Sequence, residues 1–286
     1  MLRFPESVPN FRKNKIVSFE GIPAALFAMD QMEGSKNVFL TEHTLLFVLK
    51  GEKLIHFSAE TLRISSSEVA LLKRGIYSMS EYIPDEDRFE ALLIFIPDEF
   101  FERIHLQFET PGKPDSEKPY MVVPSDELLD GFKLHYKSYI CATLNNLEYI
   151  LKVKLEELFL LLLSNQYKKD LLRFIGSIVD GAPLQMDHIV RKYLFQPITI
   201  SELARLSGRS AAAFKRDFAI HYQSSPRSWI NQQRLKHAQT LLNGTNQRVT
   251  EIAYACGYEN VPHFIRIFKK EFGLTPALYR RKKTTI

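Results

Sequence analysis

Two stretches of this chain are imperfect copies of each other, and no other feature narrows its fold as far. Residues 198–229 read ITISELARLSGRSAAAFKRDFAIHYQSSPRSW and residues 248–279 read RVTEIAYACGYENVPHFIRIFKKEFGLTPALY. Glu202, Leu203, Ala204 and Gly208 match Glu251, Ile252, Ala253 and Gly257 at an offset of 49. After one inserted residue, Phe214, Phe218, Tyr222, Pro226 and Trp229 match Phe264, Phe268, Phe272, Pro276 and Tyr279 at an offset of 50. A solenoid needs about three repeats to bury a continuous core, so two copies read as a duplicated module.

Each copy carries the pattern of a helix-turn-helix. A short first helix holds Leu203, Ala204 and Leu206, or Ile252, Ala253 and Ala255, and its small Ala lets the next helix approach closely. Gly208 and Gly257 end it, because the tight turn after a helix favours positive φ. Ser210 and Asn260 offer a polar cap to the second helix. That helix turns Phe214 and Phe218, or Phe264 and Phe268, inward at i and i+4, and leaves Lys215 and Arg216, or His263 and Arg266, opposite. Such a second helix can enter a DNA major groove. The candidate DNA-binding residues are therefore Ser210, Ala212, Lys215, Arg216, Asn260, Val261, His263 and Arg266. An ordinary helical hairpin explains one copy, but explains poorly two copies with matching Glu, Ala, Gly, Phe and Pro.

Charge and spacing point the same way. Residues 187–286 hold 17 Lys and Arg against 6 Asp and Glu, a net +11, whereas the rest of the chain nets −6. A basic region joined to an acidic one suggests a polyanionic partner for the former. Between the copies, Pro226 opens a helix where its missing N–H costs nothing, and Asn243-Gly244 stops it. Those 17 residues span roughly 25 Å. Successive major-groove faces of B-DNA recur about every 34 Å, so one rigid helix could hold two modules in adjacent grooves.

The front of the chain changes character. Residues 38–97 read as short strands: one run Val38–Leu49 ending at Lys50-Gly51, then Leu54–Phe57, Thr61–Ile64, Val69–Leu72, Ile76–Tyr82 and Phe89–Ile96. This predicts a small barrel or sandwich. A helix is predicted over Asp98–Gln107, a loop over Glu109–Pro119, and helices over about 125–143 (capped at Ser125), Leu147–Ser164 and Lys168–Val179, with a stop and linker at Asp180-Gly181-Ala182-Pro183. Within Leu147–Ser164, Leu151, Leu155, Leu158 and Leu162 are spaced 4, 3, 4. That stripe suits a dimer interface or, alternatively, the domain's own core.

The motifs of the second copy resemble a known family. Ile252, Ala253, Gly257 and Tyr258, then Phe264, Arg266, Phe268, Lys269, Gly273, Thr275, Pro276, Tyr279 and Arg280, are similar to the second-module signature of the AraC/XylS family of bacterial transcription regulators. Arg234, Ala238 and Leu241-Leu242 fit that family's linker helix. The first module departs: Gln223 stands where a Gly is usual, and Ala211, Ala212 and Ala213 give few polar tips for reading bases. The front resembles the family's double-stranded β-helix regulatory domain more loosely, and residues 125–164 its dimerisation helices. The segment LEELFLLL is nearest to the branch that activates type III secretion genes, in which the regulator is a partner protein rather than a sugar. The resemblance implies an α+β chain. A cupin-like β-barrel would occupy residues 1–120, a helical dimerisation and linker segment 121–182, and an all-α DNA-binding domain 183–286, with helix-turn-helix modules at about 200–221 and 249–272. It implies a homodimer on double-stranded promoter DNA, working with RNA polymerase, with a small-molecule effector or a regulatory protein at the barrel.

Other chemistry finds little support. His43 and His56 stand alone in strand-like runs, with no His-x-His and following Glu to make a barrel metal site. Asp85, Glu86 and Asp87 sit in a Pro-adjacent loop and read as solvated. No phosphate-binding Gly-rich loop or nucleophile elbow occurs, so no cofactor and no catalysis is expected. Two distant cysteines make no disulfide framework, and the longest apolar run, Leu158–Leu163, is far short of a membrane span. A soluble cytoplasmic protein with no membrane partner is expected. The rival reading is a barrel-type small-molecule-binding protein or enzyme whose basic tail tethers it to nucleic acid.

Overall fold

A computed structural model describes residues 1–8, 14–32, 34–84, 88–108, 118–179 and 186–284, and divides the chain into two units, Met1–Gly181 and Ala182–Ile286. The expected linker at 180–183, the carboxylates at 85–87 and most of the expected loop at 109–119 lie outside the described residues.

Strands of the first unit are, in chain order, β1 (Leu2–Phe4), β2 (Lys15–Phe19), β3 (Ile22–Met29), β4 (Lys36–Leu40), β5 (His43–Lys50), β6 (Glu52–His56), β7 (Thr61–Ile64), β8 (Glu68–Leu72), β9 (Gly75–Tyr82), β10 (Phe89–Ile96) and β11 (Tyr120–Pro124). They form two sheets, β1-β4-β9-β6-β7 and β11-β8-β5-β10-β3-β2, antiparallel throughout except for the β1–β4 pair. The expected barrel is thus not closed: two separate sheets take its place. The single strand expected over 38–49 is also two. Thr41 breaks it by donating both its amide and its hydroxyl to the Phe4 carbonyl, each at 3.0 Å. Strands β1 to β3, and β11, lie outside the region that the sequence marked as β-structure.

β10 explains the layering. Every residue of FEALLIFI is buried. Phe89, Ala91, Leu93 and Phe95 join Phe4, Phe27, Met29, Ile55, Tyr77 and Met79 in a core between the sheets. Leu92, Ile94 and Ile96 face the other way, into a second core built with helices α1 (Asp98–Gln107), α2 (Glu127–Cys141), α3 (Leu147–Ser164) and α4 (Lys168–Val179). A strand covered on both faces reads as one apolar run, as Ala91–Ile96 does here.

The helices start and stop close to where periodicity places them, although Asp126 rather than Ser125 caps α2, accepting the Leu129 amide at 2.9 Å. The leucine stripe of α3 is the larger correction. Leu151, Leu155, Leu158 and Leu162 are at most 3 % exposed within the chain's own core, packed with Phe159 against α1, α2 and α4. They leave no surface for a partner. The exposed apolar residues of α3 are Tyr149, Val153 and Leu160 instead. His43 is buried. Its Nε2 donates to Asp98 Oδ1 at 3.0 Å, and its Nδ1 accepts the Arg74 amide at 3.2 Å, tying β5 to the start of α1. His56 lies between Thr61 and Ser80 on the five-stranded sheet.

The second unit is all helical: α5 (Met186–Tyr193), α6 (Ile200–Leu206), α7 (Ala211–Tyr222), α8 (Pro226–Gly244), α9 (Val249–Ala255), α10 (Val261–Phe272) and α11 (Pro276–Thr284). α5 was not anticipated as an element. Thr199 and Glu202 form a reciprocal capping box at α6, and Glu251 repeats half of it at α9 by accepting the Arg248 amide at 2.7 Å. α8 runs 19 residues, slightly beyond the expected stop, and closes both modules. At its start Trp229 stacks near Tyr222 and Phe218, and farther on Leu235, Ala238 and Leu242 join the core of the second module. No helix among the described residues is long and apolar enough to cross a membrane.

Candidate nucleic-acid interface

The duplication in sequence is a duplication in space. α6 and α7 repeat as α9 and α10, each pair joined by a turn at a left-handed glycine, Gly208 (φ 65°) or Gly257 (φ 79°). Phe214 and Phe218 are fully buried in one module and Phe264 and Phe268 in the other. Their rings stack at 5.7 Å in both copies. This inward pair fixes the rotation of α7 and α10, and so fixes which side chains face out.

The eight candidate residues do not share one role. Ala212, Lys215 and Arg216 are exposed on α7, and Arg266 is exposed on α10 with His263 half-buried beside it. The side-chain oxygens of Ser210 and Asn260 are engaged in capping, accepting the Ala213 amide at 3.2 Å and the His263 amide at 2.8 Å. Val261 is half-buried against the second module's core. The two arginines, which occupy equivalent positions, differ in their support. Arg216 Nε lies 3.4 Å from Asp217 Oδ1, and the other oxygen of Asp217 holds Arg209 Nε at 3.3 Å. Arg266 donates instead to His263 Nδ1 at 3.1 Å, and the position equivalent to Asp217 is Ile267. Arg209 and Asp217 were missed in the sequence: they stand eight residues apart and only the turn brings them together.

Arg234 ties the segment between α5 and α6 to the second module. From α8 its buried guanidinium donates to Leu194 O at 2.7 Å, to Gly257 O at 2.9 Å and to Gln196 O, with the Tyr258 ring 5.6 Å away. The chain leaving α5 is thereby bound to the turn of the second module. Burial works against the charge and lowers the pKa of Arg234, and three carbonyls take the place of a counter-ion. The fit is close: a Cβ on Gly257 would lie 2.9 Å from both the carbonyl carbon and the oxygen of Phe195. Burial likewise pushes the Cys256 thiol up to about 11, so it stays protonated in the module core. At the first module, Asp187 of α5 accepts from Arg191 and from the Tyr222 hydroxyl at the end of α7, and these bonds hold its carboxyl below the usual range.

The surface therefore consists of two helices in equivalent positions, each presenting an arginine, with α8 packed against both modules. Among the described residues, no group of three His, Cys, Asp or Glu is placed to hold a metal ion.

Comparison with known proteins places both halves of the chain. A family described as the ExsA N-terminal regulatory domain matches residues 43–174, and one described as a helix-turn-helix domain matches residues 203–282. The virulence regulon transcriptional activator VirF of Yersinia enterocolitica is 23 % identical over 265 residues, covering 88 % of this chain and 96 % of VirF. The transcriptional regulator ExsA of Pseudomonas aeruginosa is 22 % identical over 249 residues, covering 85 % of this chain and 87 % of ExsA. Among solved structures, an apo variant of ToxT from Vibrio cholerae superposes with a TM-score of 0.45 at 16 % identity, covering 91 % of this chain and 96 % of that one.

Proposed function

The chain belongs to the AraC/XylS family of DNA-binding transcription regulators, and within it we propose an activator that reads two adjacent major grooves of promoter DNA, one with α7 and one with α10. The observation that carries this reading is the single helix α8, which packs against α7 of the first module and α9 of the second, with the Arg234 brace holding the segment before α6 against the second module. Lys215 and Arg216 serve the first groove and His263 and Arg266 the second, with Ala212 against the groove wall. Ser210 and Asn260 hold the two helix starts in shape, and Val261 supports the second from within. RNA polymerase is the natural partner of an activator so placed, and the cytoplasm its compartment.

The protein acts as a homodimer in this reading, through the exposed Tyr149, Val153 and Leu160 face of α3. The first unit receives the regulatory signal. The space between its sheets is occupied by Phe4, Phe27, Met29, Tyr77, Met79 and Phe89, which favours a regulatory protein on its surface over a small molecule enclosed within. The test is DNA binding by the full chain across salt concentrations. Binding a selected promoter duplex at least ~1000-fold more tightly than random DNA supports the reading. Equal affinity for both, falling steeply with salt, refutes it in favour of a tethering basic tail.

A further inference from the structure

Guanidinium groups have only donors, so the 3.1 Å bond between Arg266 Nη2 and His263 Nδ1 has one possible direction. Nδ1 accepts, which places the ring proton of this pairing on Nε2. Resting on the proposal that α10 enters a major groove, we infer that His263 is a base-reading donor whose tautomer is fixed by Arg266. The pair then selects an acceptor at the base edge that His263 faces and rejects an amino group at that edge.

The rest of α10 supports this assignment. The His263 amide is already bound to Asn260 Oδ1 at 2.8 Å, which pins the residue in the first turn of the helix. In that turn recognition helices contact base edges. Arg266 keeps four further N–H donors after giving one to His263. Guanine offers O6 and N7 side by side in the major groove, the arrangement that an arginine fork fits. His263 Nε2–H then needs one acceptor on the neighbouring pair, which guanine or the O4 of thymine supplies, whereas the amino group of cytosine presents a donor against a donor. The first module is the internal control. Ala213 stands at the position of His263, and Arg216 pairs with the carboxylate of Asp217 rather than with an imidazole.

Two measurements on the full chain test the inference. Selection from randomised duplexes identifies the favoured sequence. Duplexes carrying 7-deazaguanine, which lacks the N7 acceptor, then locate the guanine contacts. The wild type should lose about 10-fold in affinity at one guanine of the half-site read by α10. His263→Ala should lose about 10-fold in discrimination at the adjacent pair. His263→Asn, which carries an acceptor as well as a donor, should shift that pair towards adenine. Unchanged preferences in both variants overturn the role of His263. If Arg266→Ala still loses the guanine preference in that case, the groove reading of α10 survives; if it does not, that reading falls as well. Independently, long-range proton–nitrogen spectra at about pH 8 should show His263 protonated on Nε2 in the free protein. Arg266→Ala should turn it into a tautomer mixture. A proton on Nδ1 in the wild type overturns the inference whatever the DNA shows.

Discussion

Arg234→Met keeps an unbranched apolar stem and its packing and removes the guanidinium. That group satisfies Leu194 O, Gln196 O and Gly257 O at once. Charge-assisted bonds contribute at least about 1.5 kcal/mol each, so three represent roughly 4–5 kcal/mol. The guanidinium recovers its hydration when the protein unfolds, which offsets part of this, while three carbonyls left without donors add to the loss. The net cost is about 3–4 kcal/mol, a large share of the ~5–15 kcal/mol that holds a typical domain together. Trp229 is the chain's one tryptophan and sits in α8 with its ring 4.3 Å from that of Tyr222, so its emission reports unfolding of this unit in the intact protein. With a urea dependence of about 1–3 kcal/mol per molar, the midpoint should fall by roughly 1–4 M. Arg234→Lys separates charge from geometry: an ammonium keeps the charge but not the planar fork, and should lose most of the same stability. A midpoint within about 0.3 M of the wild type for the Met variant, or full recovery by Lys, would refute the brace.

The two module glycines should behave differently. Gly257→Ala meets both a positive φ and the Phe195 carbonyl at 2.9 Å and should cost about 3 kcal/mol or more, whereas Gly208→Ala, with open space around its Cβ, should cost only the ~1–2 kcal/mol of a left-handed alanine. Equal losses in thermal melts would show that the close approach to Phe195 is relieved by movement. In α3, Leu158→Ala should destabilise the first unit by about 2–5 kcal/mol, while Val153→Lys and Leu160→Lys should fold normally and yield monomers on sedimentation. Dimers that persist in the folded lysine variants would move the interface elsewhere. His43 has its pKa lowered by burial, more than its bond to Asp98 restores, so it is neutral in the fold and titrates near 6.5 once unfolded. Stability of the first unit should therefore fall as pH drops below about 6.5, and His43→Gln should flatten that slope; identical pH profiles would remove His43 from the account.

What the sequence revealed follows from the range of the forces involved. Phe214 and Phe218, the turn glycines and the capping residues act within one or two turns of chain, so both modules could be read directly. The leucines of α3 announced an apolar stripe, but a local pattern is the same whether its partner is α1 and α4 or another molecule. The end of β4 was hidden because no glycine or proline marks it: the break comes from Thr41 binding a carbonyl 37 residues away. At the interface, Arg216 and Arg266 looked equivalent until the fold set Asp217 behind one and His263 beside the other. Arg234 was visible as part of a family pattern, while its task depended on three carbonyls from distant turns.

Because both sides of β10 are buried, it has no wet face to tell one side from the other. In an ordinary amphipathic strand, a slip of one residue would drown the polar face and is forbidden for that reason. In β10 a slip would exchange one greasy set for another. Glu90 is the exception, a charged residue that is 2 % exposed, bound by Lys137 of α2 at 2.8 Å and approached by Arg88 at 3.5 Å, beside the bulge where pairing with β5 shifts register. It works as an index pin in a strand that is otherwise indifferent to its own alignment. In Glu90→Leu, a second set of amide signals from β10 would report the misaligned state, and a single native set would show that side-chain size alone keeps the strand in place.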